Sequence, residues 1–116
     1  MENWYTDIPA VLGDIPNTKF AYGYPDSWPT FENNEAVITY RLANDIPAVF
    51  ADDEEYEAEI EVYLDVWAKM PDRLDSVANA VKERLRTIAF VRSFNQDLYE
   101  TESKLYHRTA RYKRSE

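Results

Sequence analysis

The sequence predicts an α+β fold: a mostly antiparallel sheet of about five strands, one main helix over about residues 72–88 on one face, and a short N-terminal helix. Three observations carry this expectation. Several segments alternate apolar and polar residues with a period of two, the mark of half-buried strands. One segment, 74–88, carries its apolar residues at helical steps instead. The chain has 116 residues, two Gly and no Cys, the size of one ordinary domain with its own core, and it shows no internal repeat or low-complexity linker. Residues 1–116 are therefore read as a single domain.

Residues 3–13 read as the short helix, with Trp4, Ile8, Val11 and Leu12 on one face and Gly13 as its stop. Pro9 predicts that regular helix begins near Ile8 or is broken before it. After Pro16, Lys19-Phe20-Ala21-Tyr22 reads as a strand. Pro25 and Pro29 around Trp28 then mark 23–34 as turn and loop. Residues 36–43 form a clear strand, with Ile38, Tyr40 and Leu42 on one side and Thr39 and Arg41 on the other. Asn44, Asp45 and Pro47 are expected to break it and open a loop to about Glu55. A long strand follows over about 56–68, with Ile60, Val62, Leu64 and Val66 inward, so the two strands make a hairpin with a long tip.

Pro71-Asp72 opens the main helix, whose apolar residues Leu74, Val77, Ala78, Val81, Leu85 and Ile88 lie on one face. Asp72 and Asp75 suit its N-terminal dipole, and Lys82, Arg84 and Arg86 suit the C-terminal end. Burying that face is worth on the order of 10 kcal/mol gross, which makes the helix core structure rather than a membrane-surface element. A strand around 90–94, a polar turn and a last strand over about 104–113 complete the order. In the last strand Tyr106, Arg108, Ala110 and Tyr112 share one side, and His107, Thr109 and Arg111 the other.

Composition narrows the function classes. No run approaches the apolar length of a bilayer span, and no positively charged start leads an apolar stretch, which argues against a membrane protein and a signal peptide. The absence of Cys rules out a disulfide scaffold. The net charge is −9 and unevenly placed: residues 1–60 hold 2 basic and 13 acidic groups, and residues 61–116 hold 11 and 9. An acidic first half repels phosphates, so nonspecific nucleic-acid binding is disfavoured. Two Gly residues cannot build a phosphate-cradling loop or a dinucleotide fingerprint. One His and no Cys remove the usual zinc sites. A Ser-His-Asp relay would have to use His107, which reads instead as a surface or partly covered strand residue. Asp52-Asp53-Glu54-Glu55, followed by Glu57, Glu59 and Glu61, lacks the central Gly and the spacing of a calcium loop. No catalytic residue, cofactor site or metal site is therefore assigned, and the chain is read as a non-enzyme.

With these elements placed, the chain resembles the tail-completion proteins of long-tailed bacteriophages, the tail terminators and head–tail joining proteins. The resemblance rests on Phe20-Ala21-Tyr22-Gly23 after a short helix and on Ala36-Val37-Ile38-Thr39-Tyr40-Arg41-Leu42. It continues through Asp65-Val66-Trp67-Ala68-Lys69 and the helix leading into Ala89-Phe90-Val91-Arg92. Asp97-Leu98-Tyr99-Glu100, Leu105-Tyr106-His107-Arg108 and Arg111-Tyr112 complete it, over roughly residues 4–113. The resemblance implies a structural protein of the virion, made in the host cytoplasm. Six copies would close a ring on the tail tube, stop its growth and dock to the head's connector or stopper protein, while DNA passes without specific binding. The short, Pro-interrupted first helix and the very acidic hairpin loop depart from the family pattern.

A ring subunit needs interface residues, and interface cores favour aromatics. Of 17 aromatic residues, Trp4, Trp28, Phe31 and Phe50 fall outside the core pattern. The expected protein interface is therefore Trp4, Trp28 and Phe31 together with Ile46, Val49 and Phe50, unless these residues fold over the sheet edges as ordinary core. The acidic loop residues Asp52, Asp53, Glu54 and Glu55 are expected to face the channel, where their charge keeps DNA from sticking. Two alternatives stay open, a head-side neck adaptor and an acidic inhibitor that mimics DNA. Against the mimic, the longer helix carries both signs and the acids concentrate in one loop.

Overall fold

A computed structural model describes residues 4–23, 31, 34–46, 50–51, 54–55, 59–101 and 104–115, with side-chain detail for 6–23, 31, 34–43, 59–101 and 104–115. The order is α1 (Trp4–Leu12), β1 (Thr18–Tyr22), β2 (Ala36–Ile46), β3 (Phe50–Ala51), β4 (Glu54–Glu55), β5 (Glu59–Ala68), α2 (Pro71–Arg86), β6 (Val91–Glu100) and β7 (Leu105–Ser115). The fold is α+β. Five strands form one sheet in the order β1-β2-β5-β7-β6, and β3 and β4 pair in a separate two-stranded sheet at the hairpin tip.

The main sheet is mixed rather than purely antiparallel, because β1 runs parallel to β2. A tight hairpin turn would force antiparallel pairing, but the connection from Gly23 to Glu35 is long enough to return the chain to the same end of the sheet. The remaining pairs, β2–β5, β5–β7 and β6–β7, are antiparallel.

Both helices bury their apolar faces on one side of the sheet. From α2 come Leu74, Val77, Ala78, Val81 and Leu85, as the periodicity predicts. From α1 come Ile8 and Leu12, which are fully covered. They meet Ile38, Tyr40, Val62, Leu64, Val66 and Tyr112 of the sheet. Leu42, expected to join that inward set, is exposed instead, at the start of the irregularity between Leu42 and Asn44. A smaller cluster of Phe31, Val37, Trp67 and Leu105 lies on the opposite face.

Three boundaries outside α2 differ from expectation, each for a physical reason. Helix α1 runs through Pro9 from Trp4; burial of Ile8 and Leu12 outweighs the lost backbone bond. Gly13 follows because its amide bonds the Pro9 carbonyl at 2.9 Å, and a Cβ there would sit 2.8 Å from that oxygen. Strand β2 does not stop at Asn44-Asp45 but continues to Ile46, absorbing an irregularity between Leu42 and Asn44 as a bulge. Strand β6 does not end in a polar turn after Phe94 but pairs with β7 as far as Glu100; its later residues are polar because an edge strand is solvated. The turn into β7 is tight, with Lys104 N–H bonded to the Glu100 carbonyl at 2.7 Å.

Helix α2 closes with a Schellman motif. The Phe90 amide bonds the Leu85 carbonyl and the Ala89 amide bonds the Arg86 carbonyl, with Ala89 at φ 69°. Leu85 and Phe90, both buried, supply its usual apolar contact, so regular helix ends at Arg86, two residues before the expected end near 88.

Candidate assembly surface

The sheet face away from the helices is built as rungs, since directly opposed residues of antiparallel strands point to the same side. Val37, Trp67, His107 and Leu98 form one rung across β2, β5, β7 and β6. Thr39, Asp65, Thr109 and Gln96 form the next. Arg41, Tyr63, Arg111 and Phe94 form a third, nearer the hairpin tip. In β2, β5 and β7 these residues are the alternate positions to the core residues Ile38, Tyr40, Val62, Leu64, Val66, Ala110 and Tyr112, whereas β6 is exposed on both sides.

In the first two rungs sits a buried polar cluster that sequence reading missed. His107 is 3% exposed and Asp65 2%. The ring has Nε2 2.8 Å from Asp65 Oδ1 and Nδ1 3.1 Å from Glu100 Oε1, and it stacks on Trp67 at 4.4 Å between centroids. The expectation of a surface or partly covered His107 is thus corrected; Trp67 and the two carboxylates cover it. Both ring nitrogens thus face carboxylate oxygens of the same chain, and each of these contacts needs one proton between nitrogen and oxygen. The cluster joins β5, β7 and β6 at one point. An exposed His was the natural reading, because Asp65 is 42 positions away from His107 in the chain and only the register brings them together.

The third rung alternates cation and ring. The Arg41 guanidinium lies 4.2 Å from the Tyr63 centroid, and the Arg111 guanidinium lies 5.1 Å from the same ring and 5.6 Å from Phe94. Beyond it, Lys113 lies 3.9 Å from Glu61 and 4.0 Å from Glu59.

The outer boundary of this face is β6, a ten-residue strand at the sheet edge with nearly every residue exposed. Val91 is 66% exposed, Phe94 45%, Leu98 41% and Tyr99 50%. The first three share the face of Arg111 and Lys113, their register partners or neighbours on β7. On the helix side, β6 is anchored by Arg108, which bonds Asp97 through two guanidinium nitrogens and lies 3.1 Å from Asp75 of α2. That hydrogen bonding holds the Asp97 carboxyl below its usual range and the Arg108 guanidinium above its own. On the same side, burial pushes the Tyr112 phenol up.

Of the six expected interface residues, Phe31 is the one whose side chain is described. It is 8% exposed and packs in its own chain against Val37, Trp67 and Leu105, with Lys69 Nζ 5.1 Å from its ring. Its aromatic surface is thus used within the chain, the ordinary-core alternative for this residue. The backbones of Trp4, Ile46 and Phe50 lie in α1, β2 and β3, and Trp28 and Val49 lie outside the described residues. In the acidic run, Glu54 and Glu55 form β4 and pair with Ala51 and Phe50, whereas Asp52 and Asp53 lie outside the described residues. The residues sequence reading passed over are those of β6, whose polar composition concealed an exposed apolar row. Among the described residues no His and carboxylate group is arranged to hold a metal ion, and no helix is long and apolar enough to cross a membrane. No family model matches the chain, and no curated protein matches it.

Proposed function

We propose that the chain is a structural, non-enzymatic subunit of a bacteriophage neck. Copies of it, six by the family resemblance, close a ring on the head-proximal end of the tail tube, end tube growth and join tail to head. Its partners are other copies of itself, the tail tube protein and the head connector or stopper protein. DNA passes through the ring without specific binding, no membrane takes part, and the protein moves from the host cytoplasm into the virion neck.

One observation carries this reading beyond the resemblance: the long, outward edge strand β6 with its row of exposed apolar side chains. An edge of that kind offers unpaired backbone groups and apolar surface together, a liability for a chain that stays alone and an asset for one that assembles. The helix layer fills one face and the cluster of Phe31, Val37, Trp67 and Leu105 is buried on the other, so among the described residues the β6 edge is the surface offered for heterologous contacts that close by rotation.

Deleting the gene from its parent phage or prophage and imaging the lysate by negative stain tests the proposal. Filled heads beside separate, overlong tails are the expected result. Filled heads beside tails of normal length would move the chain to the head side of the neck, as an adaptor. Intact particles with normal tails would overturn the structural role and favour the DNA-mimic reading.

A further inference from the structure

The edge strand β6 pairs with β7 on one side and with no strand of its own chain on the other. Edge strands are usually guarded by lysine, proline, short length or a bulge. β6 holds no Lys and no Pro, is ten residues long, and has its one irregularity at its beginning, between Arg92 and Phe94. From Phe94 to Glu100 it is regular. Asp97, the acid in the middle of that stretch, is turned to Arg108 on the helix side. Nothing in the strand itself keeps a second strand away. Phe94, Gln96 and Leu98 oppose Arg111, Thr109 and His107 and lie on the open face, whereas Asn95 and Asp97 oppose Ala110 and Arg108 and lie on the helix side.

That sequence is complementary to itself in one register. Opposed residues of an antiparallel pair either both exchange hydrogen bonds or both do not. A strand that pairs antiparallel with a second copy of itself must therefore set some residue opposite itself, on the two-fold axis. An axis at Asp97 would place two carboxylates face to face, a destabilising pair. An axis at Asn95 would put Phe94 against Gln96 and bring Leu98 against the irregular start of the strand. An axis at Leu98 would carry Phe94 past the end of its partner's strand. An axis at Gln96 matches every pair of the regular stretch. Phe94 meets Leu98 twice on the open face, the two Gln96 amides meet each other between them, and on the helix side each Asn95 amide meets an Asp97 carboxylate. Phe94 and Leu98, both exposed in the single chain, cover one another.

We infer that two copies of this chain pair through β6, antiparallel about a two-fold axis at Gln96, so that their five-stranded sheets run on as one. The contact is isologous, the same patch on both copies, and so differs in kind from the heterologous contacts of a ring. It uses the same edge, and the two cannot coexist on one subunit. The pairing therefore belongs to the free protein, where it covers an edge that would otherwise collect other strands, and it opens before the edge takes up a different neighbour. An interface one strand wide falls short of the area of a permanent dimer, which keeps it reversible. The inference does not depend on the ring reading.

Because the chain has no Cys, single cysteines report the register. Sedimentation of the purified chain is expected to show a monomer–dimer equilibrium that shifts to monomer on dilution. On mild oxidation Gln96→Cys, which opposes itself, should form disulfide-linked dimers about tenfold faster than Asn95→Cys or Leu98→Cys, whose own copies lie diagonally or farther apart. Phe94→Cys mixed with Leu98→Cys should link the two chains to each other. Phe94→Lys, and separately Leu98→Lys, should sediment as monomer with the thermal melt of the parent, which separates a lost contact from a lost fold. A chain that stays monomeric at every concentration, equal oxidation rates at 95, 96 and 98, or species larger than a dimer in sedimentation would each overturn the inference. Each of these results leaves the ring reading to the gene deletion above, since purified chains are measured here and particles there.

Discussion

His107 is held by two carboxylates and an indole inside the sheet, and that arrangement sets a definite cost on removing it. Taking away the imidazole leaves the buried Asp65 carboxyl without its hydrogen-bond partner, a loss of about 1–3 kcal/mol. His107→Leu should therefore lower stability by at least that amount in denaturant unfolding. Adding Asp65→Leu, which removes the stranded polar group, should recover part of it. A single variant as stable as the parent would show that the cluster contributes nothing. The recovery matters more than the loss, because any buried substitution can destabilise but only a coupled pair is mended by changing its partner. This part of the site could not be read from the sequence. Alternation gave His107 the right side of its strand, but burial of that side depends on Phe31 and Trp67 arriving from distant segments, and no local pattern encodes their arrival.

At the scale of elements, β6 is the feature with most consequence. Its apolar residues Val91, Phe94, Leu98 and Tyr99 are 41–66% exposed, so changing them should cost little stability and, on the assembly reading, much assembly. Phe94→Lys with Leu98→Lys should leave the unfolding free energy of the purified chain within about 1 kcal/mol while cutting incorporation into particles at least tenfold. Normal incorporation would show that β6 is not an assembly edge. The helices and most strands were legible because a one-sided apolar pattern is a direct image of burial on one face: Leu74, Val77, Val81 and Leu85 are all core. The pattern failed where edges and chain reversals govern. Asn95, Gln96 and Asp97 look like a turn, yet pair with Ala110, Thr109 and Arg108, because an edge strand buries neither face. Pro9 looks like a boundary, yet packing of Ile8 and Leu12 carries α1 across it. The parallel direction of β1 follows from a long connection whose path no periodicity records.

For the whole molecule, charge and topology point the same way. The net charge of −9 arises before residue 61, while the later half of the chain is slightly basic. One helix layer packs one face of the sheet, a smaller cluster is buried on the other, and the β6 edge is exposed. The ring reading draws these together: heterologous surfaces, an open edge and a charge pattern that tolerates passing DNA without holding it. The most direct test is to place a gold-binding tag at the C-terminus of the chain in intact phage and image the necks by cryo-electron microscopy. The account predicts a single six-fold ring of label between tail tube and head in every particle. Label spread along the tube, or particles without label, would contradict it.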